Sequence, residues 1–127
     1  MGYETKRTDY VMMDERAEGY LEFPEDIQKR IENGIGCGAH IGKGWLPIVV
    51  KLNEQLSQIV PEYAIDQIKE KFGGLRFYTN VQDPIASKLI HEAEDQSYET
   101  CEICGEPGTT SGKGWIVTRC EIHKRDR

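Results

Sequence analysis

Residues 67–78 read Gln67-Ile68-Lys69-Glu70-Lys71-Phe72-Gly73-Gly74-Leu75-Arg76-Phe77-Tyr78, and the two glycines at the centre decide how the chain folds. A two-residue hairpin turn needs positive φ at both positions, which glycine adopts without steric penalty. Gly73-Gly74 therefore predicts a β-hairpin with Tyr63 to Phe72 as one arm and Leu75 to Asn80 as the other. With that turn, Lys71 faces Arg76 and Lys69 faces Tyr78. Ile68, Phe72, Leu75 and Phe77 then point into the core beside Glu70, while Lys69, Lys71, Arg76 and Tyr78 share the polar face. Lys71 opposite Arg76 is a like-charge pair that calls for an anion. An internal carboxylate would serve, as would a phosphate, a nucleic-acid backbone or an acidic protein partner.

Helices are predicted on both sides of the hairpin. Ile48, Val49, Leu52, Leu56, Ile59 and Val60 fall on one side of a helix that begins near Leu46 or Pro47 and ends at Pro61. Asp83-Pro84 supplies an N-cap and a first-turn proline, followed by the apolar stripe Ile85, Ala86, Leu89, Ile90 and Ala93. A shorter helix starts at Pro24, with Ile27 and Ile31 on one face and Gly34 as its stop. Residues 1–22 show no clean period of 2 or 3.6 and receive no element.

The last 27 residues carry a different signal. Cys101-Glu102-Ile103-Cys104-Gly105 and Cys120-Glu121-Ile122-His123 give the spacing C-x2-C-x15-C-x2-H, which is what a tetrahedral zinc site requires. All four positions are protein-filled, so the zinc, one per chain, is expected to be structural. The glycines between the pairs and Trp115-Ile116-Val117-Thr118 predict a hairpin that returns the second pair to the first. A short terminal helix begins near Cys120, and the whole resembles a treble-clef or zinc-ribbon finger. Lys113, Trp115, Arg119 and Lys124 form a modest basic and aromatic cluster suited to phosphates or a stacked base. The hairpin between the pairs lacks the histidine that an HNH-type nuclease would place there.

The glycine-rich stretch Gly34 to Gly44 invites a phosphate-loop reading but fails in detail: Lys43 precedes Gly44 rather than Ser or Thr. Cys37 and His40 repeat the C-x2-H spacing without a second pair along the chain. A buried thiol with a loop histidine is the plainer expectation, half of a second metal site the sharper one. His91 lies opposite the apolar stripe of its helix and is expected in solvent.

The 127 residues carry 16 Lys and Arg against 22 Asp and Glu, a net charge of -6, which argues against generic affinity for nucleic acid or anionic membranes. No apolar run is long enough to span a bilayer, and the N-terminus lacks a signal-peptide pattern, so a cytoplasmic location is expected.

Three blocks together resemble a family of small, largely uncharacterised proteins encoded by bacteriophages and prophages. They are Cys37 to Trp45 with Leu46-Pro47-Ile48, the Gln67-Ile68-Lys69-Glu70-Lys71-Phe72-Gly73-Gly74-Leu75-Arg76-Phe77-Tyr78 block, and Cys101 to Gly108 with Gly114-Trp115 through His123. The resemblance implies an intracellular protein of an infected host with a C-terminal zinc finger, and no transferable activity.

The expectation is an α+β fold: two or three helices on a short antiparallel sheet, with a C-terminal Cys3His zinc finger. Its parts are an arm (residues 1–22), a body (23–100) and a finger module (101–127). The expected function is non-enzymatic binding of a host or phage macromolecule, protein or nucleic acid, without membrane association. The competing expectations are a metal-dependent nuclease-like enzyme and an anti-defence protein that sequesters an immune component or nucleotide signal. The sequence carries no signal of oligomeric state.

Overall fold

A computed structural model describes residues 21–126, so the expected N-terminal arm, apart from its last two residues, lies outside the described residues. Helix α1 spans Glu25–Glu32, with Glu25 and Asp26 in its first turn and Lys29 and Arg30 in its last, both complementing the helix dipole. Pro24 sits at the N-cap with ψ 152°, one position before the helix, and its carbonyl accepts from the Gln28 amide at 2.8 Å. Gly34 follows for a reason the helix does not supply: a Cβ there would lie 1.9 Å from the Ile65 carbonyl oxygen.

Helix α2, Leu46–Ile59, buries Ile48, Val49, Leu52 and Leu56, as its period predicts. Asn53 is buried in the same stripe. Its amide donates to Asp26 at 2.9 Å and its carbonyl oxygen accepts from the Tyr63 hydroxyl at 2.5 Å. Burial pushes the Tyr63 pKa well above its ordinary value, so this phenol stays a donor. Arg30 closes the cluster, donating to the Tyr63 carbonyl and Ser57 Oγ with its guanidinium 4.1 Å above the Tyr63 ring.

Strands β1, Ile65–Lys71, and β2, Gly74–Thr79, form the expected antiparallel hairpin in a different register. Lys69 faces Arg76, Ile68 faces Phe77 and Lys71 faces Gly74, so the turn is Phe72-Gly73. Both residues have positive φ, 55° and 83°, as a two-residue turn demands. The sequence reading had put Gly74 in the turn and Phe72 in the core. Gly74 is instead required by packing, since a Cβ would fall 2.2 Å from the Tyr98 ring. Phe72 is left 62% exposed. The slip by one residue changes which cations face each other but keeps Lys69, Lys71, Arg76 and Tyr78 on one side.

Neither edge of this sheet is bare. On the β1 side the glycine-rich loop runs parallel to it, with His40 N donating to the Ile68 carbonyl at 2.9 Å and Ile68 N to the Gly38 carbonyl at 3.0 Å. On the β2 side the Leu75 amide donates to Ser97 Oγ at 2.8 Å and the Phe77 amide to Glu94 at 3.3 Å. Both acceptors sit near the end of helix α3, Pro84–Ser97, which begins at the expected cap: Asp83 Oδ1 accepts from the Ile85 and Ala86 amides. Ala86 and Ala93 are buried in α3, whereas Ile85, expected on the apolar stripe, is 63% exposed.

A second hairpin, β3 (Thr109–Ser111) with β4 (Val117–Arg119), and a closing 3-10 turn at His123–Asp126 complete the α+β chain. Among the described residues no helix is long and apolar enough to cross a membrane.

Candidate metal centre

Cys101, Cys104, Cys120 and His123 converge, with one ligand atom from each lying within 4.8 Å of all the others. Three elements position them. The chain leaving α3 folds back at Gly105, whose φ of 84° lets its amide donate to the Cys101 carbonyl at 2.9 Å and brings Cys104 round beside Cys101. Strand β4 delivers Cys120, and the turn after it brings His123 back so that the Lys124 amide donates to the Cys120 carbonyl at 2.8 Å. The resulting contacts are Cys104 Sγ to Cys120 Sγ at 3.7 Å, Cys101 Sγ to His123 Nδ1 at 3.6 Å and Cys120 Sγ to His123 Nδ1 at 3.3 Å. Such an arrangement is consistent with a metal site.

The electrostatics suit a cation. The His123 amide donates to Cys120 and holds its thiol down at about 6, against an opposing effect of desolvation. Cys104 is pushed up to about 11, first by desolvation and then by its sulfur neighbours, although the Glu106 amide pulls the other way. Three sulfurs this close compete for the same protons, and a metal ion that displaces those protons resolves the competition.

Next to two of the ligands in sequence lies a buried charge pair that the spacing of cysteines did not reveal. Arg119 Nε donates to Glu102 at 2.8 Å, and Arg119 Nη1 reaches the His123 carbonyl at 3.3 Å. Arg119, expected in the basic surface cluster, is therefore interior, only 3% exposed. Its neighbours in that expectation divide: Lys113 and Trp115 stand exposed in the β3–β4 turn, while Lys124 pairs with Glu121 at 3.5 Å.

The module is joined to the body by close backbone approach. Cβ atoms at Gly42 and Gly44 would lie 2.2 Å from the Glu102 carbonyl oxygen and 2.1 Å from that of Cys101. Gly44 N donates to the Glu102 carbonyl at 2.9 Å, and the fully buried Trp45 donates its indole N–H to the Thr100 carbonyl at 2.8 Å. The glycine-rich stretch is thus a packing surface for the first cysteine pair. The tetrapeptide Gly-Lys-Gly-Trp occurs twice with opposite outcomes: at 42–45 its Trp is buried, at 112–115 its Trp is 58% exposed.

Cys37, His40 and His91 are exposed, and Cys37 and His40 stand outside the one group of three or more His, Cys, Asp or Glu side chains found close enough for a metal among the described residues. No carboxylate among the described residues forms an ion pair with Lys69, Lys71 or Arg76 on the polar face of the first hairpin, or with Lys113 in the β3–β4 turn. The chain matches no family model, no curated protein and no solved structure.

Proposed function

We propose that the chain is a zinc-stapled, non-enzymatic binding module that engages a macromolecule through the cationic face of its first hairpin and the neighbouring edge of its C-terminal module. The observation that carries this reading is the closed ligand set beside a cationic face with which no carboxylate among the described residues forms an ion pair. Tetrahedral zinc with thiolate and imidazole ligands implies edges of about 3.8 Å between sulfurs and about 3.5 Å between sulfur and nitrogen. Three of the six edges here are 3.7, 3.6 and 3.3 Å, and all lie within 4.8 Å. Three thiolates and one imidazole favour zinc over harder cations, and four protein donors leave no position for a reacting water. The zinc would be held by Cys101, Cys104, Cys120 and His123 and would fix the β3–β4 hairpin against the body.

Lys69 faces Arg76 across the strands. A like-charge pair of this kind costs a few tenths of a kcal/mol unless a counter-charge arrives, about what an external anion returns on binding. The resemblance of three sequence blocks to phage-encoded proteins supports a partner inside an infected bacterial cell. A chain of net charge -6 has no general reason to bind a polyanion, so retention on an immobilised sulfated polysaccharide is a specific test. Zinc-loaded protein should be retained and released by salt, and Lys69→Glu with Arg76→Glu should flow through while melting as before. Flow-through of the unmodified protein would contradict the reading.

A further inference from the structure

Phe72 occupies a turn position at φ 55°, where glycine, asparagine or aspartate is expected and a bulky side chain is strained. It is nonetheless an exposed aromatic ring with the Lys71 ammonium 5.6 Å from its centroid. Strain kept at an exposed position points from conformation to use. The C-terminal module presents the matching feature: Trp115, also exposed, follows Lys113 and Gly114 in the β3–β4 turn.

The two turns touch. Thr118 Oγ1 donates to the Gly73 carbonyl at 2.6 Å, and a Cβ at Gly73 would lie 3.0 Å from Ile116 Cγ2 and 3.2 Å from Thr110 Cγ2. Phe72 and Trp115 are the chain neighbours of that Gly73 and Ile116 contact, which puts their Cα atoms within roughly 15 Å of each other. Two rings and two lysines therefore flank one junction between body and module, continuous with the Lys69 and Arg76 pair on the hairpin.

We propose that this junction binds single-stranded nucleic acid, with Phe72 and Trp115 stacking on bases and Lys69, Lys71, Arg76 and Lys113 meeting phosphates. The inference rests on the binding-module reading above and narrows its partner. Cations alone would suit any acidic chain, but an acidic peptide leaves two displayed rings unused, whereas every base offers a face to stack. A duplex hides those faces, so the surface discriminates against it. Few cations take part, so the salt dependence is shallow: for roughly two to four phosphate contacts the logarithmic slope is about -1.4 to -3.

The test is fluorescence anisotropy of zinc-loaded full-length protein with labelled oligothymidylate of about a dozen nucleotides, within the range that small single-strand binding folds cover. The same-length duplex and a polyglutamate peptide are the comparisons. Binding should favour the single strand, and Phe72→Asn and Trp115→Ala should each weaken it by about 5- to 150-fold. Asparagine tolerates the turn's positive φ, so a melting temperature for Phe72→Asn no lower than the parent's separates lost stacking from lost folding. Equal binding of the duplex, or full binding by both ring variants, overturns the inference. Polyglutamate binding that needs Lys69 and Arg76, with no oligonucleotide binding, overturns the nucleic-acid partner and keeps the module reading. Binding of neither probe overturns both.

Discussion

Arg119 Nε and Glu102 Oε2 lie 2.8 Å apart with both side chains 3% exposed, one residue along the chain from Cys120 and Cys101 respectively. The pair ties β4 to the turn between Cys101 and Cys104, so the two halves of the candidate metal centre share one buried salt bridge. Arg119→Ala should destabilise the metal-loaded protein by about 3–5 kcal/mol in urea titration, because it takes the buried Arg119 charge away from the Glu102 carboxylate. Glu102→Leu combined with Arg119→Leu should cost much less than the sum of the single changes. Additive losses would show that the pair does not act as a unit.

Gly44 marks where the body meets the module. Gly44→Ala forces a Cβ to within 2.1 Å of the Cys101 carbonyl oxygen, backbone that cannot swing aside. The expected cost is about 1–3 kcal/mol or more, with weaker metal retention during chelator challenge. Gly38→Ala, where no atom lies within 4 Å but φ is 102°, should cost through backbone strain alone and leave metal retention unchanged. Equal effects on metal retention would contradict the docking role given to Gly44.

Tyr63 donates its hydroxyl to Asn53 in the interior. Tyr63→Phe should lower stability by about 1–3 kcal/mol, since the Asn53 carbonyl oxygen then loses its buried donor. Removing Asn53 as well should recover part of the loss. A Tyr63→Phe variant as stable as the parent would mean that this hydrogen bond contributes nothing.

Phe72→Asn should raise the free energy of unfolding by about 1 kcal/mol in urea titration, because asparagine relieves the left-handed strain while little apolar burial is lost from a ring that is 62% exposed. A fall in stability would place Phe72 in the core after all.

Most of the architecture was legible because local rules and tertiary packing agreed. The α2 stripe, the Asp83 cap and the C-x2-C-x15-C-x2-H spacing each have a short-range cause and appear where expected. The hairpin register was misread because two adjacent glycines served two different needs, positive φ at Gly73 and close approach of Tyr98 at Gly74, which look the same in sequence. Arg119 was misplaced for a related reason. A lysine- and arginine-bearing tail reads as surface, and only the fold shows Glu102 brought opposite it. The glycine-rich stretch carried a phosphate-loop signal, yet its partner at Gly42 and Gly44 is the cysteine turn some 60 residues away, a distance no local pattern spans.

The central claim is that one zinc ion closes the C-terminal module and thereby fixes the surface beside it. Native mass spectrometry with metal analysis, run on the parent chain and on Cys101→Ser, tests it most directly. The account predicts one zinc per chain in the parent, none in the variant, and a lower melting temperature on loss of metal, because ligand closure and folding of the module are coupled. A parent chain that carries no metal, or one whose melting temperature is the same after zinc is stripped, would contradict it.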